Sequence, residues 1–235
     1  PVSSSFVQLA YPWIRPERLH RTPEGLVPPD GPLVGILARN ALERGSFRNA
    51  ARLPSWTTAE LVPALPGEHL RPGSDEPTGG ERDPRLFEHV SLIGHTPEGV
   101  SLLSDVTLSA DESYRSANTH RLVSAIVRAA RVIGADAVFE PSGPVLWGEI
   151  TRRLETTLAG FFAAGAFRGR TPAEAFQVRC DATTTRQQDL DEGRVIAEIV
   201  FQAAFPIERI VVSLALDASA ELRTGGPLAV AGAGT

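Results

Sequence analysis

The sequence predicts an α+β fold: a proline-rich part built of strands and loops, then two amphipathic helices packed on a small, mostly antiparallel sheet. Three observations carry this. Fourteen of the 19 prolines fall in the first 97 residues of the 235. Apolar residues recur at helical spacing in two later stretches, around Leu122–Ile133 and Trp147–Phe161. Beyond them the period changes to two, the signature of half-buried strands. The length is ample for a conventional hydrophobic core.

In residues 1–113 proline fixes φ and removes a backbone donor, so long helices are not expected. Short apolar pieces, Phe6–Ala10, Leu33–Ala38 and Leu61–Leu65, stand between turn-rich links such as Pro28-Pro29-Asp30-Gly31-Pro32. Arg71 to Asp83 is Pro, Gly, Ser and charge, an exposed loop by composition. Leu86–Ile93 and Val100–Leu108 suit two strands paired around the Thr96-Pro97-Glu98-Gly99 turn.

Residues 114–216 form the helix and sheet part. A helix is expected from Tyr114 to Ile133, with Leu122, Ile126, Ala129 and Ile133 on one face and Gly134 as a left-handed cap. Ala137-Val138-Phe139-Glu140 reads as a short strand. Ser142-Gly143-Pro144 offers a capping hydroxyl and a first-turn proline. The helix it opens carries Trp147, Ile150, Leu154, Leu158 and Phe161 as its apolar seam, and Gly165 and Gly169 turn the chain after it. Phe176, Val178 and Cys180 alternate with polar residues in a first strand. Asp189–Gly193 is a turn, Val195–Ala203 a second strand, and Phe205-Pro206 a break before Ile210, Val212, Leu214 and Leu216. One core cluster of Phe139, Trp147, Leu154, Phe161, Phe176 and Val178 is expected. Residues 217–235, rich in Ala and Gly, read as a flexible tail.

Composition excludes several functions. All 23 basic residues are arginine, so neither a Schiff-base lysine nor a P-loop lysine is present. No apolar run approaches the roughly 18 residues of a membrane span. The net charge of −5 argues against direct nucleic-acid binding. The chain has no methionine and opens at Pro1, so residue 1 is expected to be either a processing site or the edge of a fragment, and strand-like Phe6–Ala10 close behind favours the fragment.

Catalytic patterns are weak. His89 and His95 could meet across a turn, but no carboxylate stands beside them at zinc-binding helical spacing. A calcium loop at Asp189 would need glycine sixth and glutamate twelfth, where Arg194 and Val200 stand. Pro141-Ser142-Gly143-Pro144 is not a nucleophile elbow, and Gly232-Ala233-Gly234 has no following helix. Cys180, on the apolar side of its strand, is a buried thiol rather than a nucleophile. No catalytic, cofactor-binding or metal-binding residue is assigned.

An ordered string of short signatures does stand out. It runs through Tyr11-Pro12-Trp13, Pro28-Pro29-x-Gly31, Gly35-Ile36-Leu37-Ala38-Arg39 and Arg44-Gly45. Thr107-Leu108, Tyr114, Arg121-Leu122, Val138-Phe139-Glu140-Pro141 and Leu146-Trp147 come next. Gly165-Ala166-Phe167-x-Gly169, Ala175–Val178, Cys180-Asp181, Asp191-x-Gly193-Arg194 and Pro206–Arg209 complete it. In number, order and spacing, from Tyr11 to Leu216, this resembles the C-terminal portion of the tail sheath proteins of contractile phages and related contractile injection systems.

The resemblance implies a structural subunit, not an enzyme, needing no cofactor. It would polymerise helically around an inner tube protein and contract to drive that tube through a target envelope. Its partners would be its own copies, the inner tube, and baseplate and cap proteins, with no direct nucleic acid and no membrane insertion. Assembly would take place in the bacterial cytoplasm, as part of a phage tail or a releasable tail-like particle. A sheath-like baseplate or cap component is the alternative, and a metal-dependent hydrolase using His89 and His95 a remote one. The resemblance also implies a C-terminal strand arm exchanged between subunits. Glu208, Arg209, Ile210, Val212, Leu214 and Leu216 would leave the body and add to a neighbour's sheet. Arginine favours bidentate pairing, so Arg152, Arg153, Arg168 and Arg170 are candidates for bridges to adjacent copies.

Overall fold

The structure, a computed structural model, describes residues 3–16, 25–56, 59–64, 85–137, 140–204 and 209–216. The architecture is α+β, and the chain divides into two compact units, Pro1–Arg121 and Leu122–Thr235.

The first unit holds β1 (Ala10–Tyr11), β2 (Trp13–Pro16), α1 (Asp30–Arg44), β3 (Pro54–Trp56), β4 (Ala59–Val62), α2 (Arg85–His89), β5 (Ser91–Thr96), β6 (Gly99–Leu102) and α3 (Glu112–Arg115). One sheet has the order β1-β5-β6-β3; β2 and β4 form a second, antiparallel pair. The expected turn is there, with Ile93 opposite Leu102 and Thr96 opposite Gly99, but the strands around it are shorter than expected: Leu86–His89 lie in α2, and β6 ends at Leu102. Gly99 closes it at φ 124°, a conformation open mainly to glycine. Ile14, Leu33, Ile36, Leu61, Ile93, Val100 and Leu102 make one buried cluster.

The helix α1 corrects the expectation that prolines keep long helices out of this part: it has 15 residues. Pro32 lies in its first turn, where backbone N–H groups have no intrahelical acceptor to lose. The first helical bond, Leu33 N–H to the Pro29 carbonyl, falls just past it at 2.9 Å. No proline follows until Pro54. Leu33, Ile36 and Asn40 recur at helical spacing and are the buried face.

Helix α4 (Ala117–Ala137) starts in the first unit and runs into the second. It is separated from α3 by Ser116, whose extended backbone (φ −72°, ψ 117°) breaks the helix expected from Tyr114. It also passes through Gly134, so Gly134 is not a cap. A Cβ there would stand 2.9 Å from Leu216 Cδ2 and 3.3 Å from its Cβ, so helix and strand approach closely at this glycine. Ala137 is the last residue of α4 rather than the start of a strand; residues 138–139, and Phe139 with them, lie outside the described residues.

The second unit continues with α5 (Pro144–Ala163), α6 (Pro172–Ala175), β7 (Phe176–Arg179), α7 (Gln187–Asp191), β8 (Val195–Gln202) and β9 (Arg209–Leu216). Pro144 opens α5 as expected, but the N-cap is Gly143 and Ser142 makes no capping bond. The expected turn at Asp189–Gly193 is corrected: Asp189–Asp191 lie in the short α7, and only Glu192 and Gly193, the latter at φ 70°, turn the chain into β8. The sheet β7-β8-β9 is antiparallel throughout. Its inward residues face one another in register: Val195 with Leu216, Ala197 with Leu214, Ile199 with Val212, Phe201 with Ile210. All eight of those side chains are buried.

This register corrects the exchanged arm. The strand expected to stand free of its own body is paired with β8 along all eight of its residues. Phe205-Pro206 lies outside the described residues; breaking a strand does not prevent the chain from folding back. Ile210, Val212, Leu214 and Leu216 therefore serve their own chain's core, where four apolar side chains outweigh a solvated arm by about 1.5–3 kcal/mol each. Arg209 pairs with Gln202 through the backbone, and Glu208 lies outside the described residues.

Candidate assembly surfaces

The most ordered polar site of the first unit is a buried hub around Asp105, whose side chain has no solvent exposure. Arg121 Nη1 and Nη2 donate to its two oxygens at 3.1 and 2.5 Å. Ala50 N–H donates at 2.9 Å and Gln8 Nε2 at 3.1 Å. Arg121 Nε donates to the Ser46 carbonyl at 2.8 Å. A buried carboxylate is tolerable only with such partners. The hub thus joins the N-terminal segment, the loop after α1 and the first turns of α4. Gln8 reaches on to Ser91 Oγ and the Val106 carbonyl, and Ser91 N–H donates to the Leu9 carbonyl at 2.7 Å. Sequence reasoning missed Asp105. The available signal was one acidic residue in the otherwise apolar and hydroxyl run Val100–Leu108.

This anchoring holds the segment 3–16 as a ribbon on the body. Its inner side chains, Gln8 and Ile14, are engaged; Phe6, Val7, Leu9 and Trp13 are exposed. Phe6 packs edge-on to the His120 ring at a centroid distance of 4.5 Å. Burial, then the neighbouring Arg121, lower the His120 pKa below its ordinary value. A second apolar surface lies on the outer face of α1, at Val34 and Leu42.

In the second unit, Leu146, Ile150, Leu154 and Leu158 are the buried line of α5. Trp147 is half-buried beside it. Phe161 and Phe176 are not neighbours in a direct pair: each packs on Phe167, at 6.3 and 5.8 Å, and Phe167 reaches Phe201 at 5.2 Å. Val178 is half-buried opposite Ile199. Phe167, not singled out for the core in the sequence, is the centre of the aromatic group. Arg153 pairs with Asp136 at 2.5 Å and Arg152 loosely with Glu149 at 3.9 Å, while Arg168 and Arg170 are exposed. Among the described residues, no strand pairs with the outer edge of β9 or of β7.

No catalytic arrangement accompanies these surfaces among the described residues. His89 ends α2 half-buried and His95 is exposed on β5; no group of three or more His, Cys, Asp or Glu side chains is placed to hold a metal. Cys180 is buried, and burial followed by the Asp181 charge pushes its thiol up to about 11. Asp181 itself is held low, chiefly by hydrogen bonds from Thr183. No described helix is long and apolar enough to cross a membrane.

Neither a protein-family model nor a curated protein matches the chain. Solved structures do. A chain of the anti-feeding prophage baseplate, 6-fold symmetrised, superposes with a TM-score of 0.71 at 21% identity, covering 88% of this chain and 54% of its own. The sheath complex of the extracellular contractile injection system PVC, in its contracted state, gives 0.71 at 19% identity over 89% of this chain and 56% of its own. The contracted helical sheath of the anti-feeding prophage gives 0.69 at 22% identity, with 88% and 55% covered. The chain thus spans about half the length of the proteins it matches. Over nearly all of its own length, it has the fold found in the sheaths of contractile injection systems.

Proposed function

We propose that this chain is a structural subunit of a contractile sheath, polymerising helically around an inner tube and contracting to drive the tube through a target envelope. The observation that supports it is the superposition on the chains of two contracted sheaths over 88–89% of the sequence. The ordered motifs from Tyr11 to Leu216 also support it. Work in such a machine comes from the packing difference between two lattices, summed over many copies, a two-state element that needs no catalysis and no cofactor. Inner tube, baseplate and cap proteins are the partners, and assembly takes place in the bacterial cytoplasm before any release.

The interface role of residues 208–216 takes a revised form. The apolar side chains of β9 belong to its own core, and what is left for a neighbour is the backbone of its outer edge. A strand from an adjacent copy adds there, by β-augmentation. The match to a baseplate chain favours a second reading, a sheath-like baseplate component present in few copies.

Negative-stain microscopy of the expressed chain, alone and with a co-expressed tube protein, tests the proposal. Long hollow cylinders are expected. Short six-fold rings would favour the baseplate reading, and particles that stay monomeric under both conditions would overturn both.

A further inference from the structure

The leading turn of the ribbon, residues 4–7, is fastened to the body by backbone bonds and by one aromatic contact. Its backbone straddles Leu108: Ser4 N–H donates to the Leu108 carbonyl at 3.2 Å, and Leu108 N–H donates to the Val7 carbonyl at 3.0 Å. Ala110 N–H reaches Ser3 Oγ at 2.9 Å. Phe6 stands between these bonds, 83% exposed, with its ring edge-on to His120 at a centroid distance of 4.5 Å and an interplanar angle of 79°. Tyr114 of α3 approaches the same imidazole at 6.4 Å and 70°. His120, in the first turn of α4, is thus half-buried against one aromatic ring from the ribbon and one from α3.

The nearby carboxylates are engaged elsewhere. Asp111 accepts from Ser113 N–H at 2.9 Å as the cap of α3. Glu88 and Glu112 pair with Arg115 at 3.3 and 3.5 Å, and Asp105 is held by Arg121. Among the described residues no acid pairs with His120, and residues 3–9 bring no ionisable side chain to it. The charge that acts on it is a like one, Arg121 on its own helix. Tyr114 stays neutral, because burial and then Asp111 push its phenol up. A proton on His120 therefore makes a cation beside a cation, at a site shielded from water. Aromatic faces attract cations, but burial and Arg121 prevail and keep the imidazole neutral to a lower pH than usual.

We propose that His120 is a proton-operated catch for the leading turn of the ribbon: neutral, it seats Phe6 and with it residues 3–7; protonated, it lets them go. The sign follows from linkage. Seating the turn lowers the pKa of the imidazole, so the turn is held fully above the ordinary histidine value of about 6.5. Its hold weakens as pH falls from there toward the seated value, by about tenfold for each pH unit crossed, and is level below it. Ordinary carboxylates, near pH 4, titrate beneath that window. Release stays local, because the bonds of residues 3–7 lie at the surface and open without global unfolding. Gln8, held by Asp105, Ser91 and the Val106 carbonyl, marks where the ribbon stays fixed. The catch needs neither polymer nor partner, so its success or failure leaves the sheath proposal untouched.

NMR of the full chain tests it, by following the histidine rings and the amide protection factors between about pH 7.5 and 5, the range in which histidine titrates. Protection of the Ser4 and Leu108 amides should fall with acid. Protection of the Ser91 amide, bonded to the Leu9 carbonyl, and of the Leu103 amide, bonded to the Leu92 carbonyl, should hold. His120→Phe keeps a ring that cannot titrate, and its Ser4 and Leu108 amides should stay protected throughout. Phe6→Ala removes an exposed side chain and so tests the same contact without disturbing the core; it should raise the pKa of His120 toward the ordinary value. The proposal is overturned if protection of Ser4 and Leu108 in the parent does not change with pH. An equal fall in His120→Phe would overturn it too, by placing the acid response in another group. So would a lower His120 pKa in Phe6→Ala, which would mean that the ring grips the cation instead of releasing it.

Discussion

At Gly134 a helix interior and the last residue of a strand come within one carbon of each other. Alanine normally stabilises an exposed helix interior over glycine by about 0.5–1 kcal/mol. Here the added methyl meets Leu216 Cδ2 at 2.9 Å and its Cβ at 3.3 Å, and overpacking costs about 1–3 kcal/mol. The balance is unfavourable, so Gly134→Ala should lower the melting temperature. Gly148→Ala and Gly160→Ala on α5, where nothing lies within 4 Å, should raise it. In a Leu216→Ala background the sign at Gly134 should reverse, which thermal unfolding of the four combinations would show. Cys180 gives a second residue-scale expectation. With its thiol pushed up to about 11, it is almost wholly protonated at pH 8. A thiol reagent should label it quickly only after denaturant unfolds the chain; rapid native labelling would contradict the burial.

At the scale of elements, β9 carries the largest consequence. Deleting residues 209–216 removes four buried side chains worth about 1.5–3 kcal/mol each and bares the edge of β8. That sum rivals a typical total stability of about 5–15 kcal/mol. The deletion should abolish cooperative unfolding of the second unit, seen by calorimetry, rather than yield a folded, non-polymerising body. How far such elements can be read from sequence depends on whether their cause is local. Helix α5 is legible because Leu146, Ile150, Leu154 and Leu158 repeat every four residues behind Pro144. The β5–β6 hairpin is legible from its turn. Helix α1 is hidden by Pro28, Pro29 and Pro32, which look like breakers unless the first two are seen to precede the helix and the third to fall in its first turn. Gly134 looks like a cap because the reason for a glycine there, Leu216, is 82 positions away. For β9 the alternation announced a strand, but nothing local says which strand it will join. The assembly surfaces were harder still: Asp105 and Phe167 matter through partners that only the tertiary fold assembles.

For the whole molecule, the first unit depends on a single carboxylate that ties three distant segments together. Asp105→Ala would strand the Arg121 guanidinium and the Ala50 N–H, and breaking a buried pair costs about 3–5 kcal/mol. Chemical denaturation should show that loss, with Asp105→Asn intermediate, because the amide oxygen still accepts one of the bonds. The β8–β9 register has a mechanical consequence as well. Val195 and Leu216 face each other at one end of the ladder, and Gln202 and Arg209 at the other. Tension applied at Leu216 against the body would unzip the ladder one pair at a time, the weakest way to load it. Tension along the strand would instead shear all eight pairs at once. A chain of this fold that transmits force through residue 216 has its first yield point there, and the Leu216 knob lodged over Gly134 is the latch that must slip before any backbone bond opens.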